Sequence, residues 1–397
     1  IMDKIINNIS KFLNEILNEN YFDKNKLEIK KINKINNSNF PLIFKFLKGE
    51  IKKKSFNDYI KLGDIDNKKI QQLINNINNT NNNFNDWYHD NIDDITKTTC
   101  LLSKNRKMSL LDIIDESVRN NNDRKPLNRM MYNNPFISMD IQFFSESNDL
   151  FYYQYFNDGI KLHVYSKNEI NEKFIKNIIL MCKLMSKISK REFDNNDICI
   201  LLSPSKKVIY NNQSKILCSN NINSGSTLTG SYINIWRSEE LLKVLCHELI
   251  HFFDIDEYLY DDDEKNVLKN KIKKNFNIKG RIIPFEAYTD SCAIIIHSIF
   301  VCHRLSYSIN DTYKLLSLEI CHSLFQAAKI LNNFGITNIK DKKEIDQGTS
   351  VFSYYIIKSA LLTSLNDFLK FSGNDFKFDN RIKEFNNLIF NSFNKSK

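Results

Sequence analysis

The sequence predicts an α+β fold on three observations. Short alternating runs rich in aromatic and β-branched residues gather between Phe136 and Trp236. Stretches with apolar residues at helical spacing fill almost everything after Phe253. A hairpin signal, Asn157-Asp158-Gly159, separates two of the alternating runs and commits them to antiparallel pairing. The chain divides accordingly. Residues 1–130 form a helical N-terminal region of unassigned role. Residues 131–397 form one larger domain, with a small mixed sheet and one helix over 131–255 and a helical part over 256–397.

The elements follow in order. Ile5, Ile6, Ile9, Leu13, Ile16 and Leu17 recur at helical spacing, so the chain opens with an amphipathic helix. Residues 23–60 are lysine-rich, with short helices expected around Pro41–Lys48 and Phe56–Leu62. The Asn-dense stretch Asn75–Asn85 reads as a loop, and Ser109–Val118 as another short helix. Ile137–Phe144 alternates and reads as a strand; Phe151–Phe156 and Ile160–Tyr165 flank the hairpin turn. Glu169–Ile188 is a helix with Phe174, Ile178, Met181, Leu184 and Met185 on its apolar face, and Ile198–Leu202 a short buried strand. Asn223–Thr227 reads as a turn and Ser231–Trp236 as an edge strand, before the helix Leu241–Phe253. Ser238 is its expected N-cap, with Glu239 and Glu240 as an acidic first turn. Five helices follow: Asp263–Phe276, Phe285–Arg304, Thr312–Asn333, Ser350–Phe371 and Asn380–Phe393.

With 397 residues the chain can bury a large core. The net charge of +9 is spread along the chain, which reads as a solvated surface rather than a nucleic-acid face. The eight cysteines form no CxxC pair, and several fall in apolar helical runs, where a thiol acts as a small hydrophobe. That pattern points to a reducing, intracellular setting. Ile1–Phe22 is broken by Asn and charges and lacks the form of a signal peptide, and the apolar runs are too short to cross a bilayer, so no membrane is expected.

One stretch declares a chemistry. His247-Glu248-Leu249-Ile250-His251 lies within the helix Leu241–Phe253. Residues i and i+4 share a helix face, so His247 and His251 can present ring nitrogens to one Zn2+ ion. Glu248, about 100° further round, is placed to take a proton from a zinc-bound water as general base. A catalytic zinc needs a third protein ligand. Glu286 opens Glu286-Ala-Tyr-Thr-Asp290 on a later helix, where Asp290 shares its face and can accept a hydrogen bond from a ligand imidazole. Glu257 and Asp254 compete for the role, or belong to a solvated acidic helix end with Asp256. Tyr354 or Tyr355 is a candidate stabiliser of the transition-state oxyanion, against a plain core role. The Ser231–Trp236 strand is placed to pair with an extended peptide. His297, Cys302-His303 and Cys321-His322 read as core residues rather than a second metal site.

The ExxxD block resembles that of the gluzincin peptidases, which take their third ligand from it. The run Asn223–Thr227, the segment Ile233–Glu240, the HExxH helix, Glu286–Asp290 and Thr349–Lys358 together resemble the zinc metallopeptidases of large nucleo-cytoplasmic DNA viruses, insect poxviruses included. The likeness runs from about residue 130 to 397 and implies a zincin-like catalytic domain. It implies a peptide or protein substrate, and a place in infected-cell cytoplasm or inside the virion. The alternative is a catalytically silent zincin-fold protein that serves a structural or host-interaction role.

Overall fold

The computed structural model describes residues 1–32, 123–132, 134, 136–145, 147, 150–209, 216–257, 263–337, 341 and 343–395. The elements expected at Pro41–Lys48, Phe56–Leu62, Asn75–Asn85 and Ser109–Val118 lie outside them. A mixed six-stranded sheet stands in the middle, with a helical C-terminal half and an N-terminal helix.

Helix α1 (Met2–Asn18) buries Ile5, Ile9, Leu13 and Ile16, the stripe its periodicity defines, and packs on α4 (Glu172–Ser189) and α8 (Phe285–Arg304). β1 (Leu27–Ile32) pairs antiparallel with β2 (Leu150–Asn157). The described parts of the N-terminal region thus join the central sheet and its core. Two short helices, α2 (Lys125–Tyr132) and α3 (Met139–Ser145), come next. The strand expected at Ile137–Phe144 is therefore corrected to a helix. Ile137, Ile141 and Phe144 stand at i, i+4 and i+7 as well as in rough alternation, and they pack together with Leu127 and Met130.

β2 and β3 (Ile160–Ser166) pair antiparallel around the turn, where Asp158 and Gly159 both take positive φ. A Cβ at Gly159 would lie 2.1 Å from the Phe193 carbonyl oxygen, so only glycine fits. Helix α4 then crosses over so that β4 (Asn196–Leu201) lies parallel to β3. α5 (Ser219–Ile222) leads into β5 (Gly225–Leu228), which pairs antiparallel with β6 (Tyr232–Ile235); β6 in turn lies parallel to β4. The strand order is β1-β2-β3-β4-β6-β5. This corrects two expectations. Asn223–Thr227 is largely strand, with the tight turn displaced to Gly230 at φ 66°. Among the described strands β6 is interior, and β5 lies at an edge of the sheet.

Both sheet faces are covered. Tyr153, Leu162, Ile198, Ile233 and Ile235 meet α4 and α6 (Leu241–Phe252) in the main core, while Tyr152, Tyr165, Cys199 and Trp236 meet α2 and α3. Successive side chains in a strand point to opposite faces, so the two covers read alternate residues. Helix α6 does not start with Ser238 as its cap. Ser238 donates instead to the Ser203 carbonyl, and the helix begins after Glu240, which sits at φ 56° without a side-chain cap.

α7 (Asp263–Phe276), β7 (Ile278–Gly280), α8, α9 (Ile309–Asn333) and β8 (Ile345–Gln347) follow. α9 starts on a capping box between Ser308 and Asp311, three residues before the expected Thr312. The single helix expected over Ser350–Phe371 is broken into a π-helical turn (Phe352–Ile357), α10 (Lys358–Thr363) and α11 (Leu365–Ser372). α12 (Ile382–Lys395) closes the chain. By length and composition α8 could cross a membrane, but 89% of its apolar window is buried inside the fold. Among the described residues six cysteines are free thiols, five of them buried; Cys218 is disulfide-bonded, a departure from the expectation of free thiols.

Candidate metal centre

Helix α6 runs under the edge strand β5 and packs against α4 on one side and α8 on another. Its one-turn spacing stacks His247 and His251, whose rings meet edge to face at 4.8 Å. Glu286 comes from the first turn of α8. The His247 and His251 Nε2 atoms are 3.1 Å apart, and Glu286 Oε2 stands 3.2 Å from the first and 3.3 Å from the second. Two ligands about 2.05 Å from zinc at a tetrahedral angle lie about 3.3 Å apart. The three sides of this triangle match that edge, so the donor set fits one small divalent ion. Among the described residues these three form the one group of His, Cys, Asp and Glu close enough to share an ion.

Each imidazole has a carboxylate on its other nitrogen. Asp290 Oδ1 lies 3.3 Å from His247 Nδ1, and Asp256 Oδ2 lies 2.6 Å from His251 Nδ1. Such partners turn Nε2 towards the shared point and hold the tautomer. Asp256 is fully buried and also accepts from Thr289 Oγ1 at 2.6 Å, which ties the loop after α6 to α8. Sequence reasoning had placed Asp256 in a solvated acidic end, and that is corrected here. No local signal marks it, because burial comes from α8 folding over it. Glu257 Oε2 accepts from the Asn380 backbone N–H at 2.7 Å, and Asp254 stands outside the ligand group.

Electrostatics bind the cluster. Burial pushes the His247 pKa down, but hydrogen bonds to Asp290 and Glu286 outweigh it and raise the value to about 9. Burial likewise opposes His251, yet the charges of Asp256 and Glu286 hold it well above the ordinary imidazole value. Glu286 is depressed despite its burial, because His251 and His247 face it. Asp290 is depressed in the same way by Lys243 and Lys358, the latter 2.6 Å away. Each imidazole thus has carboxylates facing both of its nitrogens.

Glu248 stands beside the triangle and is buried. Its Oε2 accepts from Thr227 Oγ1 of β5 at 2.7 Å. A Cβ at Gly225 would lie 2.5 Å from Glu248 Oε1, so the absent side chain makes room for this carboxylate. Burial raises the Glu248 pKa, with the two imidazoles pulling against it. Neither Thr227 nor Gly225 was identified from sequence, since the contact joins a sheet edge to a helix 21 residues later.

His247 and Glu248 line a cleft of about 350 Å³, together with Tyr354 and Tyr355 of the π-helical turn. The Tyr354 ring is 6.1 Å from that of His247. Burial raises the Tyr355 pKa, and the Lys358 ammonium stands 5.4 Å from its ring centre. His297 is half-buried, its pKa pushed down to about 4 by burial and by Lys243. Cys302 is core, as expected, but Cys321 and His322 are exposed on α9, and His322 lines the cleft.

Over 184 residues the chain is 24% identical to an uncharacterized protein of Acanthamoeba polyphaga mimivirus; the match covers 43% of this chain and 46% of that protein. The chain therefore spans less than half the length of the relative it matches. No family model and no solved structure matches. What these findings establish is a distant likeness to a giant-virus protein, together with a buried His-His-Glu group able to hold a metal ion.

Proposed function

We propose that this chain is a zinc-dependent metallopeptidase with a zincin-like, gluzincin-type site. One observation carries the reading: His247, His251 and Glu286 form a triangle of tetrahedral dimensions, and His247 and Glu248 face an open cleft. Held by those three residues, zinc supplies a Lewis acid that acidifies a water and polarises a carbonyl.

The chain's own residues do the rest. Thr227 holds one oxygen of Glu248, which turns the carboxylate towards the cleft and keeps it from swinging. Glu248 takes the proton of the attacking water and returns it to the leaving amine. Burial raises its pKa, which helps the same carboxyl group first to accept and then to give the proton. Asp290 and Asp256 orient the two imidazoles, and Tyr354 or Tyr355 supplies a hydroxyl to the developing oxyanion. An extended peptide can add to the outer edge of β5, where β6 had been the expectation; β5 already lies over Glu248. The viral relative supports a place in infected-cell cytoplasm or in the virion.

The test is the Glu248→Gln variant. It should keep stoichiometric zinc by elemental analysis and lose at least about 10²-fold of peptide-library cleavage. Cleavage that survives the substitution sinks the mechanism, and a zinc-loaded parent that cuts nothing leaves the silent zincin-fold reading in its place.

A further inference from the structure

Behind the carboxylate that meets His247 stands a lysine that the reaction described above does not use. Lys358 opens α10, directly after the π-helical turn Phe352–Ile357. Its neighbours Ile356, Ile357, Ala360, Leu361 and Leu362 are buried core residues, and Lys358 is itself only 6% exposed. An ammonium taken that far from water is costly unless an opposite charge meets it. That charge comes from Asp290 on α8, 68 residues earlier, whose Oδ2 accepts from Lys358 Nζ at 2.6 Å.

Asp290 thereby works with both oxygens. Oδ2 is held by Lys358, while Oδ1 lies 3.3 Å from His247 Nδ1. Holding one oxygen of a planar carboxylate fixes the plane, and with it the place from which the other oxygen meets the imidazole. Lys243 does not duplicate this hold. Its Nζ stands 4.0 Å from Asp290 Oδ1 and only 3.1 Å from Glu240 Oε2. The second imidazole is supported differently: His251 Nδ1 meets Asp256, which accepts from the neutral hydroxyl of Thr289.

The π-helical turn sets the direction in which the residues after it project. An i→i+5 turn is wider than an α turn, so the residues past it are rotated relative to a continuous helix. The same turn carries Tyr354 and Tyr355 to the cleft, and Lys358 Nζ lies 5.4 Å from the Tyr355 ring centre. One local irregularity thus brings tyrosines to the cleft and a counter-charge to Asp290.

We propose that Lys358 is a positioning residue of the metal centre. By pinning Asp290 it sets the orientation of the His247 imidazole, and so the affinity and geometry with which the triangle holds a divalent ion. This rests on the metal-binding part of the reading above and needs no turnover.

The experiment uses the full-length chain and the metal alone. Zn2+ affinity is read by competition with a chromophoric chelator, the angles at the ion by the visible absorption bands of the Co2+-loaded protein, and the metal-free fold by urea denaturation. Lys358→Met should weaken zinc about tenfold or more and shift the Co2+ bands. Asp290→Asn should weaken zinc at least as much, and adding Lys358→Met to it should cost less than about twofold further, because the lysine acts through that carboxylate. Unchanged affinity and bands in Lys358→Met overturn the proposal, and so does an equal loss with and without the Asp290 carboxylate. If Lys358→Met does not fold without metal, Lys358→Gln, which keeps an N–H donor but not the charge, takes the same comparison; failure of both to fold assigns Lys358 to the core alone and overturns the proposal. Peptide cleavage is scored apart. Zinc loss as expected in a chain whose parent cuts nothing upholds this role and removes the peptidase reading, whereas a cleaving parent with unaltered affinity in Lys358→Met does the reverse. A parent that takes up neither ion removes both.

Discussion

Single side chains carry most of the candidate site's logic. Asp256 is the sharpest case, since its only visible work is to hold His251 and accept from Thr289. Asp256→Asn should weaken zinc binding about 10–100-fold, read by competition with a chromophoric chelator; unchanged affinity would show that the carboxylate is dispensable. Gly225→Ala makes the complementary cut. The new methyl meets Glu248 Oε1 at 2.5 Å, so the carboxylate must leave its place on Thr227. Cleavage should fall by about 10²-fold or more with zinc content intact. His247, Glu248 and His251 were legible in the sequence because their geometry is local: a helix fixes what faces what over four residues. Asp256, Gly225 and Thr227 were not, because an aspartate bound for burial looks the same in sequence as one bound for water.

At the scale of elements, helix α8 is the part on which the site depends. It delivers Glu286, Thr289 and Asp290 from one face while burying almost all of its length. α1 leans on it, although residues 19–284 lie between the two helices. Leu13 is fully buried in the core that α1 shares with α4 and α8, so Leu13→Ala should cost about 2–5 kcal/mol in chemical denaturation. A loss under about 1 kcal/mol would mean that α1 is an appendage. Most helices were readable from their apolar spacing, with Asp263–Phe276 and Phe285–Arg304 found at their expected bounds. The errors fell where spacing is ambiguous or pairing is remote. Ile137–Phe144 fits two periods, and the neighbours of β6 are chosen by other strands rather than by its own residues.

For the molecule as a whole, metal, protons and folding are linked. In the metal-free fold His247 titrates at about 9, raised above its ordinary value. A raised histidine stabilises the fold fully below its unfolded pKa, and that contribution fades as pH climbs through the folded one. Between about pH 6.5 and 9 the metal-free protein should therefore lose stability from this group as pH rises. Zinc needs the neutral imidazole, so over the same window its affinity should climb, up to about tenfold per pH unit for each proton displaced. Calorimetry in buffers of different ionisation enthalpy should register proton release on zinc binding at pH 7. The zinc-induced rise in Tm should shrink on acidification; a gain independent of pH would contradict the raised His247 pKa.

The sequence alone determined the α+β class, the positions of most helices and a hairpin, and the pairing of two histidines with a glutamate between them. Each of these is set within a few turns of chain, where backbone geometry leaves little choice. Only the tertiary structure decided that Glu286 closes the triangle, that Asp256 lies buried behind His251, and that β5 lies at an edge of the sheet. Those outcomes depend on segments tens to hundreds of residues apart being pressed together by a common core, and no short window of sequence contains them.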